Sequence, residues 1–247
     1  MNMKNYRMTI QYDGTKYNGW QRQGNTANTI QGKLESILEK MTGHKVEIHG
    51  SGRTDKGVHA KGQVASFKIN TQKSDGEIKD YLNCYLPDDI AVIDLTEADE
   101  RFHARLNVKR KTYIYRIHNS NVPDVFSHRF MHSVADFIDV EPMKIASKLF
   151  LGEHDFAGFS SVKNFKKSTV RTVYSIGVER FGDDVVIAVT GNGFLYNTVR
   201  IMAGTLLEIG LGKREAESIA KVFETKNRQM AGETLLGKGL TLLSVEY

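Results

Sequence analysis

The sequence predicts an α+β protein made of two ferredoxin-like halves, each with an antiparallel sheet and the element order β-α-β-β-α-β. In the first half, short alternating apolar segments and segments with helical apolar spacing follow one another in this order between residues 7 and 95. The same order recurs between residues 112 and 245. We therefore predict an N-terminal half of residues 1–104 and a C-terminal half of residues 105–247. The halves are expected to share a sheet or to face each other.

The first half contains four predicted strands and two predicted helices. The strands cover residues 7–12, 46–48, 63–70 and 90–95, and the helices cover residues 30–41 and 75–86. Asn28 or Thr29 can cap the first helix at its start, and Gly43 can end it. Pro87 stops the second helix.

The second half repeats the pattern with one additional helix. Its strands are predicted at residues 112–117, 170–181, 185–190 and 240–245, and its helices at 142–151, 196–210 and 215–224. Pro142 suits the first turn of the first of these helices, and Asp139 is a possible cap upstream.

Composition is that of an ordinary globular protein. The 247 residues are 40% hydrophobic and 26% charged, and 34 Lys and Arg against 29 Asp and Glu give a net charge of +5. This modest excess is compatible with a polyanionic partner. Apolar runs long enough for a membrane span and a signal-peptide core are both lacking, so we expect a cytoplasmic protein.

Metal and redox chemistry find little support in the sequence. Cys84 is the only cysteine, which excludes an internal disulfide and a zinc site with several cysteines. We expect Cys84 to be buried as a small hydrophobic residue. His128 and His132 have i,i+4 spacing but lack the intervening Glu of a His-Glu-x-x-His site.

The segment from Gly50 to Gly62 contains four glycines in thirteen residues. Such backbone turns tightly or lets another group approach closely. Asp55 and Arg53 lie between these glycines, on a loop before a predicted strand. By itself, Asp55 fits a turn residue before Lys56, but loops on rigid scaffolds also carry function.

A second unusual loop follows the first strand. It runs from Tyr12 to Gln23 and contains an Asp-Gly pair, an Asn-Gly pair and the only tryptophan, Trp20. Asp13 is the carboxylate of this loop. The simplest interpretation is a loop fixed by buried aromatic side chains.

Further chemistry is concentrated in the second half. Residues 109–116 interleave cations with Tyr113 and Tyr115, which share one face of a strand. They are either inward-packed aromatics or a platform for stacked bases. Residues 163–167 form a basic loop that is either solvated or a phosphate contact.

The loop segments together resemble the TruA family of tRNA pseudouridine synthases. Residues 52–60 match its Gly-Arg-Thr-Asp-x-Gly-Val-His-Ala signature, and residues 12–23 match its Tyr-Asp-Gly-Thr-x-Tyr-x-Gly-Trp-Gln-x-Gln signature. Residues 191–200 resemble a third signature that ends in arginine, and residues 102–105 resemble another family segment. The segments occur in the family's order along nearly the whole chain.

The resemblance implies a role for each candidate residue. Asp55 is the catalytic aspartate, Tyr113 stacks on the target uracil, and Arg200 pairs with Asp55. Arg53 and Arg105 are substrate-binding candidates. A pseudouridine synthase fold with a central active-site cleft is expected.

The reaction implied is the isomerisation of uridines 38 to 40 in the tRNA anticodon stem-loop, which needs neither a cofactor nor a metal. The family also implies a homodimer. Two alternatives remain open: a related synthase with a different RNA target, and a non-catalytic RNA-binding module.

Overall fold

The computed structural model describes residues 3–247. The chain divides into two compact units. The first unit runs to Lys109 and includes Leu242–Tyr247, and the second unit is Arg110–Thr241. Helices and mostly antiparallel strands occur in both, which confirms the α+β class. The central cleft and the division into halves 1–104 and 105–247 remain predictions.

The first unit has the predicted element order. Its elements are β1 (Lys4–Tyr12), α1 (Ile30–Thr42), β2 (Ile48–Gly50), β3 (His59–Ile69), α2 (Asp75–Tyr85) and β4 (Ile90–Ala98). Strand β1 lies between β4 and β3, and β2 pairs with β3, so the strand order is β4–β1–β3–β2 with every pair antiparallel. Strand β3 begins four residues before its predicted start, so the end of the 52–60 segment belongs to the sheet.

Local side-chain chemistry explains where the helices of this unit begin and end. The Thr29 side chain accepts a hydrogen bond from the backbone of Gly32, and Gly43 ends α1 with a φ of 77°. Ser74 and Glu77 form a reciprocal capping box at the start of α2. The caps of α1 are therefore those that the sequence indicates.

The second unit contains two short strands that the sequence did not predict. Its elements are β5 (Arg110–Asn119), β6 (His132–Val134), α3 (Val140–Ser147), β7 (Gly152–Asp155), β8 (Val170–Phe181), β9 (Asp184–Gly191), α4 (Thr198–Gly210) and α5 (Ser218–Thr225). The last strand, β10 (Leu240–Glu246), closes the chain, and most of it is grouped with the first unit. The sheet order is β5–β9–β8–β7, and β6 runs parallel to β5.

Two details of the helices correct the sequence analysis. Helix α3 starts at the predicted cap, Asp139, but ends at Ser147 rather than at residue 151. The prediction that Cys84 is buried is wrong, because its side chain is exposed. Helix α2 buries Ile78 and Leu82. A residue two positions after Leu82 lies about 200° around the helix from it, and therefore faces away from the core.

Helix α4 is buried along almost its whole length. Gly204 permits this close packing, because a Cβ atom at this position would lie 2.1 Å from the carbonyl oxygen of Glu233. The helix therefore gives a rigid support to the segment that precedes it. None of the helices in residues 3–247 is long and apolar enough to cross a membrane.

Candidate active site

The Asp55 loop joins β2 to β3, and a buried amide on β3 fixes its base. The Gln63 side chain accepts a hydrogen bond from the Ser51 hydroxyl at 2.6 Å and donates one to the Gly52 carbonyl oxygen at 3.0 Å. Gln63 is fully buried, and Ser51 is buried beside it. Buried polar groups with satisfied hydrogen bonds hold one geometry, so the loop leaves the sheet in a defined direction.

Asp55 occupies the first position of a tight turn. The Val58 backbone N–H donates to the Asp55 carbonyl oxygen at 3.1 Å, and Gly57 has a φ of 75° at the third position. A positive φ at this position is the requirement of a type II turn, which glycine meets without strain. The Asp55 side chain is half-buried, whereas Lys56 at the tip is exposed.

The Tyr12–Gln23 segment holds the Asp55 loop from one side. The buried hydroxyls of Tyr12 and Thr54 share a hydrogen bond of 2.8 Å, and the Trp20 backbone N–H donates to the Thr54 carbonyl oxygen at 3.0 Å. Burial raises the pKa of Tyr12, so its hydroxyl stays protonated in the interior. The side-chain hydroxyl and the backbone carbonyl of Thr54 are thus both held in place, immediately before Asp55 in the chain.

A second set of contacts fixes the other end of the turn. The Gly14 backbone N–H donates to Nδ1 of the buried His59 at 3.0 Å. Asp13 Oδ1 lies 3.2 Å from the same nitrogen, which would suit a charged imidazole. Because a backbone N–H can only donate, Nδ1 is an acceptor in this arrangement, and the His59 proton is on Nε2.

Close backbone packing explains why glycines occupy this junction. A Cβ at Gly14 would lie 2.0 Å from the Val58 carbonyl oxygen, and one at Gly19 would lie 2.5 Å from the Thr54 carbonyl oxygen. Gly50 lies against the buried Trp20 ring in the same way. The interpretation of the Tyr12–Gln23 segment as a loop fixed by buried aromatics is therefore confirmed, and this segment supports the Asp55 loop.

Arg53 lies on the same loop with its side chain exposed. Its Nε atom donates to Gln21 Oε1 at 3.0 Å, so the Tyr12–Gln23 segment also orients this guanidinium. Arg105 lies on an exposed loop after β4, where its backbone N–H donates to His103 Nδ1 at 3.1 Å.

In the second unit, the two tyrosines of β5 have different environments. Tyr115 is fully buried, and its hydroxyl donates to the Leu236 carbonyl oxygen at 2.8 Å, which makes it a core residue. Tyr113 lies on the same face of the strand and packs perpendicular to Phe194, with ring centroids 5.5 Å apart and an interplanar angle of 89°. These inward-packed aromatics fit the structural interpretation of the strand, and the stacking role of Tyr113 remains a prediction.

Arg200 lies in the first turn of α4, half-buried. Its Nε atom donates to the Leu235 carbonyl oxygen at 2.6 Å, and its Nη1 atom donates to Asn197 Oδ1 at 2.8 Å. Asn197 precedes the helix with a φ of 65°, a conformation that asparagine adopts more readily than most residues. These contacts fix the plane of the guanidinium, whereas its pairing with Asp55 remains a prediction.

The basic loop of residues 163–167 is exposed throughout. The Ser161 backbone N–H donates to the Tyr196 carbonyl oxygen at 3.2 Å, and Asn197 Nδ2 donates to the Ser161 hydroxyl at 2.9 Å. The start of the loop is thus attached to the segment that leads into α4 and Arg200. Over residues 3–247, we find no cluster of three or more His, Cys, Asp or Glu side chains that could hold a metal ion.

Sequence reasoning missed the residues that support these candidates. Gln63, Gln31 and Glu35 are buried polar side chains inside a strand or a helix. Polar residues at core positions are a weak signal by themselves. They could have been identified as polar residues at positions where the helix or strand pattern calls for an apolar one.

A family model described as tRNA pseudouridine synthase matches residues 8–107 and 146–247 of this chain. Asp55, Arg53, Arg105 and Arg200 lie within the matched residues, and Tyr113 lies between the two ranges.

Three curated relatives illustrate the similarity. The tRNA pseudouridine synthase A of Bacillus sp. (strain KSM-64) is 49% identical over 230 residues, which are 93% of this chain and 94% of that protein. The tRNA pseudouridine synthase A 2 of Bacillus anthracis is 46% identical over 99% of this chain and 100% of that protein. The tRNA pseudouridine synthase A of Acetivibrio thermocellus is 42% identical over the same shares of the two chains.

Proposed function

The chain belongs to the tRNA pseudouridine synthase family, and we propose that its targets are uridines 38 to 40 of the tRNA anticodon stem-loop. The enzyme is an isomerase that converts uridine in tRNA into pseudouridine. In this reaction the N1–C1′ bond breaks and a C5–C1′ bond forms, while C5 loses a proton and N1 gains one. The isomerisation therefore needs neither an oxidant nor water as a reactant.

We assign the catalytic role to Asp55. The observation that carries this proposal is the support of the Asp55 loop, which the Tyr12–Gln23 segment contacts on both sides of the turn. A half-buried carboxylate on so rigid a loop is placed in advance for one reacting atom. It acts at the sugar or the base, through attack at C1′, addition to the base or formation of a glycal.

The target base must leave its stack before the carboxylate can reach it. Tyr113 supplies an aromatic face for the flipped uracil, and its perpendicular contact with Phe194 restricts the motion of its ring. Arg200 serves as the partner of Asp55, because a half-buried carboxylate needs a cation nearby. Arg53 and Arg105 are exposed and suit contacts with the RNA backbone.

We also propose that the enzyme is a cytoplasmic homodimer. Transfer RNA as the substrate supports the location. The dimer is supported by exposed apolar side chains between β5 and α3, where Phe126 is 90% and Phe137 is 80% exposed. Aromatic side chains are enriched at protein–protein interfaces. Sedimentation equilibrium checks the dimer, and a monomer at micromolar concentration would contradict it.

Tritium release from tRNA labelled at C5 of uridine tests the proposed function, because the new C5–C1′ bond displaces the C5 hydrogen. We expect release from an anticodon stem-loop and none when uridines 38 to 40 are replaced by cytidine. A non-catalytic RNA-binding module would release no tritium. A synthase that acts at another position of tRNA would release it from full tRNA despite the replacements.

A further inference from the structure

A chain of side-chain hydrogen bonds runs from Arg53 into the interior of the first unit. Arg53 Nε donates to Gln21 Oε1 at 3.0 Å, and Gln21 Nε2 donates to Gln31 Oε1 at 2.8 Å. Gln31 Nε2 in turn donates to Glu35 Oε1 at 2.8 Å. We refer to these four side chains as the Arg53–Glu35 chain.

The direction of the chain is fixed at both ends. A guanidinium can only donate hydrogen bonds, and a carboxylate can only accept them. Two backbone groups enforce the same direction, because the Arg22 N–H donates to Gln31 Oε1 at 2.9 Å and the Ile48 N–H donates to Glu35 Oε1 at 3.1 Å. Rotation of either side-chain amide by 180° would place two hydrogen-bond donors opposite each other. Each glutamine amide therefore has a single orientation.

The inner end of the chain is buried and rigid, whereas its outer end is exposed. Glu35 is 6% exposed and Arg53 is an exposed residue. Glu35 Oε2 also lies 3.1 Å from Arg22 Nη1, as an ion pair without hydrogen-bond geometry. Burial of a carboxylate is costly unless it is paired, and Arg22, Gln31 and the Ile48 N–H supply the partners of Glu35.

The backbone of α1 is fixed to the same segment. The first backbone N–H groups of the helix, those of Ile30 and Gln31, donate to the carbonyl oxygens of Gly19 and Trp20 at 3.2 and 3.0 Å. Helix α1 and the residues that hold Arg53 therefore behave as one body.

We propose that Glu35 is a positioning residue that acts on Arg53 through Gln31 and Gln21 and sets the direction of its guanidinium for RNA binding. This inference rests on the proposed role of Arg53 as an RNA contact. An arginine held in place loses less rotational freedom on binding than an unsupported one. Loss of the chain should therefore weaken tRNA binding about threefold to tenfold.

Two substitutions break the chain at different points. Gln21→Met removes both hydrogen bonds of a half-buried side chain with little change of volume, and Glu35→Met removes the carboxylate at the buried end. Glu39→Met is the matched control, because it makes the same change one turn further along α1 at an exposed position. Gln21→Met keeps the test valid should Glu35→Met fold poorly.

The first measurement is the NMR signal of the Arg53 Nε–H group, which reports its hydrogen bond whether or not the protein binds RNA. We expect the signal to shift and to exchange faster with water in Gln21→Met and Glu35→Met, and to stay unchanged in Glu39→Met. An unchanged signal in both chain variants would overturn the proposal.

The second measurement is tRNA affinity in a double-mutant cycle with Arg53→Ala. If Glu35 acts through Arg53, the chain substitutions weaken binding in the wild-type background and have no further effect in the Arg53→Ala background. A merely structural role would weaken binding equally in both backgrounds and would overturn the proposal. A lack of pseudouridine formation by the wild-type protein would instead contradict the proposed function. The NMR result would still show whether Glu35 and Gln21 orient the Arg53 side chain.

Discussion

Substitution of Gly19 by alanine tests whether the Tyr12–Gln23 segment fixes the position of Asp55. Gly19 has a φ of 88°, and a Cβ there would lie 2.5 Å from the Thr54 carbonyl oxygen. The left-handed conformation alone costs an alanine about 1–2 kcal/mol. Relief of the contact requires the Thr54–Asp55 backbone to move by about 0.9 Å to reach an ordinary van der Waals distance of 3.4 Å. A displacement of about 1 Å at a reacting group can lower the rate about 100-fold.

Gly43→Ala provides the matched control. Gly43 has a φ of 77° but has open space where a Cβ would point, so this variant carries the conformational cost without the contact. We expect denaturant unfolding to show a loss of about 1–2 kcal/mol for Gly43→Ala and more for Gly19→Ala. Single-turnover pseudouridine formation should fall about 100-fold in Gly19→Ala alone. Equal rates in the two variants would refute the argument that this contact holds Asp55.

Three further predictions concern the second unit. Tyr113→Phe should bind tRNA as the wild type does. Tyr113→Ala should lose about 1–3 kcal/mol of binding free energy in a filter-binding assay. Wild-type binding by Tyr113→Ala would exclude stacking. Replacement of Lys163, Lys166 and Lys167 by glutamine should flatten the dependence of log affinity on log salt, because fewer counterions are released, and an unchanged slope would show that the loop is merely solvated. Arg200→Lys should form pseudouridine more slowly at saturating tRNA. Nε and Nη1 of Arg200 each donate a hydrogen bond, and the single ammonium group of lysine cannot reproduce this geometry. A wild-type rate would therefore contradict the role of Arg200 as the partner of Asp55.

Much of the fold was predictable because its signals are local. Thr29, Gly43 and Asp139 mark helix ends through their own side-chain or backbone chemistry, and the structure places all three at those ends. Strands β6 and β7 escaped prediction because three or four residues are too short for an alternating pattern. They exist because neighbouring strands offer backbone partners, which is a tertiary effect.

The contacts that support the candidate site could not be predicted from the sequence, and the roles of its residues remain predictions. The glycines around Asp55 indicate tight backbone, but the sequence does not say what approaches it. The structure shows that the backbone of Val58 lies against Gly14 and that of Thr54 against Gly19. Contacts between segments separated by about forty residues depend on the sheet that joins them, which residue patterns describe only indirectly.

Pseudouridine formation by an Asp55→Asn variant shows whether Asp55 is the catalytic residue. Asparagine keeps the shape of the side chain and removes its charge and its nucleophilic oxygen. We expect a variant that folds normally by circular dichroism and denaturant unfolding, binds the anticodon stem-loop, and forms no detectable pseudouridine. Wild-type product formation by a well-folded Asp55→Asn protein would contradict the assignment of Asp55 as the catalytic residue.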